Sequence, residues 1–308
     1  MASNHYILCP GQGAQVVGMG KDFFEASPVA RQTFEVANKV IGFDLSSICF
    51  AGPEDRLNQT DVSQPAIYTT GVACFRAAQA AGKIHPESVT GYAGLSLGEY
   101  TALHLAGVFG FEDGLKLVAA RGRYMQEAAV ASPSGMVAVI GADENQINEI
   151  CHAARGEDVL VPANFNAPGQ VVVSGSKSAC ERALAEAEKR GLKAVALKVA
   201  GAFHSPLMRS GADRMAGELE KVEFSSPTRP VYSNVTAAAH TDTASIKRLL
   251  VDQIVKPVRW EQSVQAMLGL GETTFVELAP GRTLAGLMKR ISRRQPIESL
   301  ESAATLGG

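Results

Sequence analysis

Short apolar runs alternate with stretches of helical periodicity along most of the chain, the pattern of an α/β fold with a mostly parallel sheet. His5–Cys9 reads as a strand that ends in the loop Pro10-Gly11-Gln12-Gly13, and residues 23–41 follow as a helix. Residues 89–95 form a second strand that runs into a turn at Ser96. Residues 97–107 and 112–130 then read as helices. Residues 230–235 and 274–278 are later core strands, each followed by a polar or Gly/Pro break.

Between about residues 131 and 199 the rhythm changes. A strand at 136–140 leads to a helix at 143–154 with Asp143 as its N-cap. Two strands, 159–163 and 170–174, flank an expected loop at 164–169. A helix at 177–190, stopped by Gly191, and a closing strand at 193–199 complete the segment. This order is that of the split βαβ, ferredoxin-like unit. The expectation is a small unit, 131–199, inserted in a larger one built from 1–130 and 200–308. A cleft between two such units is a common seat for a substrate.

Composition narrows the classes. The 308 residues are 46% hydrophobic and 19% charged, which excludes a disordered chain, a collagen-like repeat and a coiled coil. The net charge of −2 gives no excess of positive charge to drive phosphate-backbone binding, so nucleic acid is not an expected partner. The five cysteines form no CxxC pair, and their odd number argues against a disulfide framework and for a reducing compartment. The first residues lack the basic and apolar regions of a signal peptide. The longest charge-free stretches, such as 159–176, contain Pro, Asn, Gln and Gly, so no membrane span is expected. No exposed heptad or interface stripe is evident, which points to a monomer.

The sharpest chemical signal is Gly94-Leu95-Ser96-Leu97-Gly98, a GxSxG between a strand and a helix. In a nucleophile elbow the turn is so tight that only small residues fit on either side, and the serine oxygen stands exposed. The following helix would aim its N-terminal amides at the site. A short motif in a Gly-rich chain also arises by chance; the strand–turn–helix context favours the elbow. A serine nucleophile needs a base. Of six histidines, His204 stands apart in Gly201-Ala202-Phe203-His204-Ser205-Pro206, a shaped loop where the small unit would return to the large one. Such a histidine is either structural or that base.

Arg121 lies beside the apolar stripe of Leu115, Val118 and Met125, whereas Arg123 is nearly opposite and solvated. An inward arginine needs an anion, either an internal Asp or Glu or a substrate carboxylate. The loop Gly11-Gln12-Gly13 is either a simple turn or a second amide donor for an oxyanion. No nucleotide loop, HExxH or paired histidine ligands occur, so neither a metal nor a nicotinamide cofactor is implied.

Taken together, Pro10-Gly11-Gln12-Gly13-Ala14-Gln15, Gly94-Leu95-Ser96-Leu97-Gly98-Glu99-Tyr100, Arg121, Asn164-Phe165-Asn166, the His204 loop and Gln253 with Pro257-Val258-Arg259-Trp260 resemble one family. It is the bacterial malonyl-CoA:acyl-carrier-protein transacylases, whose fold recurs in fatty acid and polyketide synthases. The resemblance spans roughly residues 6–291. It implies a hydrolase-like α/β large subdomain and a ferredoxin-like small one. It implies Ser96 as nucleophile, His204 as base held by the main-chain carbonyl of Gln253, and the amides of Gln12 and Leu97 as oxyanion hole. Arg121 would hold the malonyl carboxylate, and Phe203 and Asn166 would border the substrate. A bulky residue at the Phe203 position accompanies malonyl in related synthase domains, and a smaller one methylmalonyl. The substrates would be malonyl-CoA, a CoA thioester, and holo-acyl carrier protein in the cytoplasm, with no resident cofactor. One position departs: the family usually has His where Leu95 stands.

Two other classes compete. A serine esterase or thioesterase would share the elbow and base but admit water to the acyl-enzyme; Arg121 and the inserted small unit favour transfer. A non-catalytic carrier-binding scaffold would leave Ser96 dispensable. The basic group Lys289, Arg290, Arg293 and Arg294 reads as a solvated helix end or as a contact for an acidic carrier protein.

Overall fold

The computed structural model describes residues 4–271 and 274–307. Residues 1–3, 272, 273 and 308 lie outside the described residues, and with them the outer ends of the segments 1–130 and 200–308 expected above.

Nine strands are formed among the described residues: β1 (His5–Cys9), β2 (Val89–Gly94), β3 (Ser134–Ile140), β4 (Leu160–Ala167), β5 (Gln170–Ser176), β6 (Lys193–Ala196), β7 (Val231–Tyr232), β8 (Thr274–Leu278) and β9 (Ile297–Leu300). Five of them make one sheet in the order β7-β2-β1-β8-β9, and every pairing in it is parallel. The central strand β1 is buried at all five positions. A parallel strand covered on both faces has no polar side to show, which is why its sequence is a continuous apolar run.

The helix Thr60–Ala80 is buried along most of its length, including Ser63, Gln64, Thr69 and Thr70. The helix Phe111–Ala131 lies against it, and the approach is close: a Cβ built on Gly122 would stand 2.5 Å from the Thr60 carbonyl oxygen. That closeness brings a polar side chain of one helix within reach of the other.

The four remaining strands form an antiparallel sheet in the order β4-β5-β3-β6, the ferredoxin-like arrangement. One face packs on the helices Glu144–Arg155 and Lys177–Lys189, burying Val137, Val139, Ile147, Ile150 and Val173. The other face turns Met136, Ala138 and Val172 toward the core of the parallel sheet's layer. Asp143 caps the first of these helices in a complete capping box with Gln146.

Four expected elements change. The closing strand at 193–199 is strand only over β6, since its pairing with β3 ends at Ala196. The single helix at 23–41 is two, Lys21–Ala26 and Pro28–Ile41, because Pro28 lacks an N–H and holds Ser27 extended (φ −127°, ψ 118°). The strand at 230–235 shortens to β7, since only Val231 and Tyr232 find partners on β2. The loop at 164–169 is mostly strand: β4 continues to Ala167 and turns through Pro168-Gly169 alone. Two register shifts let β4 serve several layers. Phe165 points into the small sheet's core, and Ala163 into the large one.

Candidate active site

Ser96 follows β2 at the turn that leads into the helix Gly98–Leu105. Its φ is 54°, the left-handed region that non-glycine residues seldom adopt. The turn leaves no room for side chains on either flank. A Cβ on Gly94 would lie 1.9 Å from the Gly98 carbonyl carbon, and one on Gly98 would lie 2.1 Å from the Cys9 carbonyl oxygen. The GxSxG pattern is thus a steric requirement of the turn. The strained serine is held by its own amide, which donates to Asn234 Oδ1 at 2.6 Å.

His204 reaches the same point from the loop after the small sheet, also with a positive φ of 58°. Its Nε2 stands 2.9 Å from Ser96 Oγ, and its Nδ1 stands 2.7 Å from the Gln253 carbonyl oxygen. A carbonyl only accepts, so Nδ1 carries the proton and Nε2 is free to accept the serine's. Burial, and next the Arg121 charge, push His204 down to about 4 from its ordinary 6.5, against the pull of the Gln253 carbonyl. The imidazole is neutral at physiological pH and competent as a base.

Arg121 is 1% exposed, on the inner side of its helix. One terminal nitrogen donates to Gln64 Oε1 at 2.8 Å. The other donates to Gln253 Oε1 at 2.8 Å and to Ser96 Oγ at 3.2 Å. Its Nε has no acceptor among the described residues. Of the two partners the sequence left open, an internal Asp or Glu is not in contact: no carboxylate lies within ion-pair distance of Arg121 among the described residues. The guanidinium is therefore a buried cation held by neutral oxygens, beside the serine, with a donor to spare.

Ser96, Gln12, Asn166, Phe203 and His204 line one cavity of about 470 Å³, and the inner face of the small sheet contributes Met136 and Val172 to it. Leu97, Arg121 and Gln253 sit behind that wall, fully or nearly fully buried. The backbone amides of Gln12 and Leu97 are not taken up by any acceptor among the described residues, as a hole for a developing oxyanion requires. Leu95 adds an apolar side chain to the lining, and a Cβ built on Gly11 would stand 2.2 Å from the Leu95 carbonyl oxygen.

Two other histidines make different bonds. His104 Nδ1 donates to the Phe109 carbonyl at 3.0 Å, and the ring borders a separate cavity with Arg76 and Arg229. His240 has a fully buried side chain bonded to Glu99. Gln64, Asn234 and His240 escaped sequence reasoning as site residues, because none belongs to a local motif; Glu99 stands in the block Gly94–Tyr100, but nothing local assigns it a role.

A buried serine bonded to a neutral imidazole, with a cation and free amides beside it, defines an acyl-transfer site on an α/β scaffold. Residues 6–307 match the family model described as the acyl transferase domain, and the chain belongs to that family. It is 41% identical over 298 residues to the malonyl CoA-acyl carrier protein transacylase of Salmonella typhimurium, with 96% of each chain covered. The solved acyl carrier protein S-malonyltransferase of Vibrio cholerae matches with a TM-score of 0.94 and 41% identity, over 99% of both chains. A malonyl-transacylase solved in complex with a type II PKS acyl-carrier protein matches with a TM-score of 0.94 and 39% identity, over 99% of this chain and 98% of that one.

Proposed function

We propose that this protein moves a malonyl group from malonyl-CoA to the phosphopantetheine thiol of holo-acyl carrier protein through a malonyl ester on Ser96. The supporting observation is the convergence of three groups at one oxygen: Ser96 Oγ lies 2.9 Å from His204 Nε2 and 3.2 Å from the Arg121 guanidinium. His204 takes the hydroxyl proton as Ser96 Oγ attacks the thioester carbonyl. The amides of Gln12 and Leu97 receive the oxyanion, each donor supplying about 3–4 kcal/mol in comparable sites. The intermediate collapses, the C–S bond breaks, and His204 returns the proton to the departing CoA thiolate. The carrier thiol then gives its proton to His204, attacks the ester, and releases Ser96. Such a cycle is ping-pong and uses no resident cofactor.

Gln253 serves through its main chain, keeping the His204 ring oriented and its Nδ1 protonated. Arg121 receives the malonyl carboxylate in trade for neutral contacts, and acetyl offers it nothing. Phe203, 6% exposed on the cavity wall, restricts room beside the acyl group, and Asn166 supplies a polar rim. We take 131–199 as the small subdomain and 1–130 with 200–308 as the large one, the cavity lying where their layers meet. No helix among the described residues is long and apolar enough to cross a membrane. We place the protein in the cytoplasm as a monomer.

Intact-protein mass spectrometry tests this reading. Mixing with malonyl-CoA should add one malonyl group, discharged by holo-acyl carrier protein faster than by water. Ser96→Ala should take up none. A Ser96→Ala protein that is still malonylated, or an ester that water clears as fast as the carrier does, would refute it.

A further inference from the structure

Glu99, the second residue of the helix after the elbow, is 0% exposed. Its carboxylate receives three N–H donors from residues more than 130 positions away in the chain. The Asn234 amide donates to Oε2 at 3.0 Å, Gln253 Nε2 to Oε2 at 2.7 Å, and His240 Nε2 to Oε1 at 2.8 Å. These are not peripheral residues. Asn234 Oδ1 holds the strained Ser96 amide, and its Nδ2 holds the Gly94 carbonyl at 2.8 Å, so Asn234 staples both sides of the elbow. The Gln253 carbonyl holds His204, and its side chain holds Arg121.

The orientation of the Gln253 amide follows from its surroundings. Its Nε2 side meets only acceptors: Glu99 Oε2, the Ser96 carbonyl at 3.0 Å and Asn234 Oδ1 at 3.3 Å. Its Oε1 side meets the Arg121 guanidinium. Flipped, the amide would set oxygen against three oxygens and nitrogen against a cation. We infer that Glu99 is a positioning residue for malonyl selectivity: its carboxylate locks the Gln253 amide, which presents a neutral oxygen to Arg121 and keeps the guanidinium aimed at the Ser96 acyl group.

The arrangement solves a conflict in the site. Arg121 must stay charged and ordered while empty, yet a carboxylate in direct contact would compete with substrate. One amide between Glu99 and Arg121 supplies the anion's field and fixes the geometry without occupying the guanidinium. A hydrogen bond to the oxygen of an amide whose nitrogen is bonded to a carboxylate is stronger than one to a free amide. It remains weaker than the charge-assisted pair that malonyl offers.

This inference rests on Arg121 as the malonyl clamp, so the experiment reads both. Acylation of Ser96 by malonyl-CoA and by acetyl-CoA is measured for the wild type, Glu99→Gln, Gln253→Leu and Arg121→Met. The rate of labelling by a neutral fluorophosphonate, which has no carboxylate for the guanidinium to hold, reports the Ser96–His204 pair. Glu99→Gln should lower the malonyl-to-acetyl ratio of kcat/KM by about tenfold to hundredfold, the scale of a misplaced binding group. Its fluorophosphonate rate should fall by a smaller factor. A ratio that stays at the wild-type value while Arg121→Met collapses it overturns the inference alone. A ratio unmoved in Arg121→Met overturns the clamp as well. If Glu99→Gln does not fold, Gln253→Leu decides: it keeps the backbone carbonyl but removes the relay, and an unchanged ratio there also overturns the inference.

Discussion

Arg121→Met keeps a long unbranched side chain in the same buried slot and removes only the charged fork. In the wild type that fork is spent on three neutral oxygens, on Gln64, Gln253 and Ser96, with Nε unused. A malonyl carboxylate would replace bonds to neutral oxygens, in which only the donor is charged, with bonds in which both partners are, a step from the low to the high end of about 1.5–3 kcal/mol each. Two such exchanges leave up to about 3 kcal/mol of discrimination. At about 1.4 kcal/mol per tenfold this is up to about 150-fold in kcat/KM. Acetyl-CoA has no carboxylate for the fork, so its acylation should lose only what the Arg121 bond to Ser96 Oγ and the charge near His204 contribute, a loss that malonyl-CoA shares. The ratio of the two should therefore collapse by that factor, mainly through loss of malonyl-CoA turnover. Quenched single-turnover mixing followed by intact-protein mass spectrometry reads both acyl-enzymes directly. A ratio within about threefold of wild type would mean that Arg121 contributes less than about 1 kcal/mol, and its role as clamp would be wrong.

The pH dependence of serine labelling gives a second check. The neutral imidazole is the active form, and burial places its folded value at about 4, so the rate should hold steady from neutral pH and fall only near pH 4. A limb near the ordinary 6.5 would contradict the burial argument. Relief of the Arg121 charge in Arg121→Met should move the limb upward. Because the unfolded chain binds a proton that the native state excludes, stability should decline as pH falls from 6.5 toward about 4, a trend visible in denaturant titrations. Elsewhere, Asp143→Ala removes the capping box of Glu144–Arg155 and should cost about 1 kcal/mol of stability by chemical denaturation, with acylation unaltered.

What was legible in the chain followed from local physics. β1 shows as an apolar run from Tyr6 to Cys9 because a buried parallel strand is covered on both faces. Ser96 shows because the elbow needs glycine within two residues on each side, at Gly94 and Gly98. Asp143 shows because a cap acts on the amide three residues on. His204 and Arg121 were candidates from local pattern alone, and only the resemblance to a family assigned them roles. The stretch at 164–169 misled, since its Asn, Pro and Gly content is that of a loop. Pairing with β5 and the bridge to Val258 recruit Asn164 to Ala167 into a strand nonetheless.

The sequence by itself determined the alternation of strands and helices, the inserted antiparallel unit and the site of the strained serine, because each depends on neighbours a few residues away. Only the tertiary structure decided that Arg121 lacks a carboxylate in contact, and that Glu99, Asn234, Gln253 and His240 form one buried network behind Ser96. Glu99 reads locally as an ordinary acidic residue in a helix's first turn, suited to the dipole. Its hydrogen-bond partners come from residues 234, 240 and 253, and burial makes each of those bonds obligatory. No periodicity encodes such a bond; it exists only once packing has excluded water from both partners.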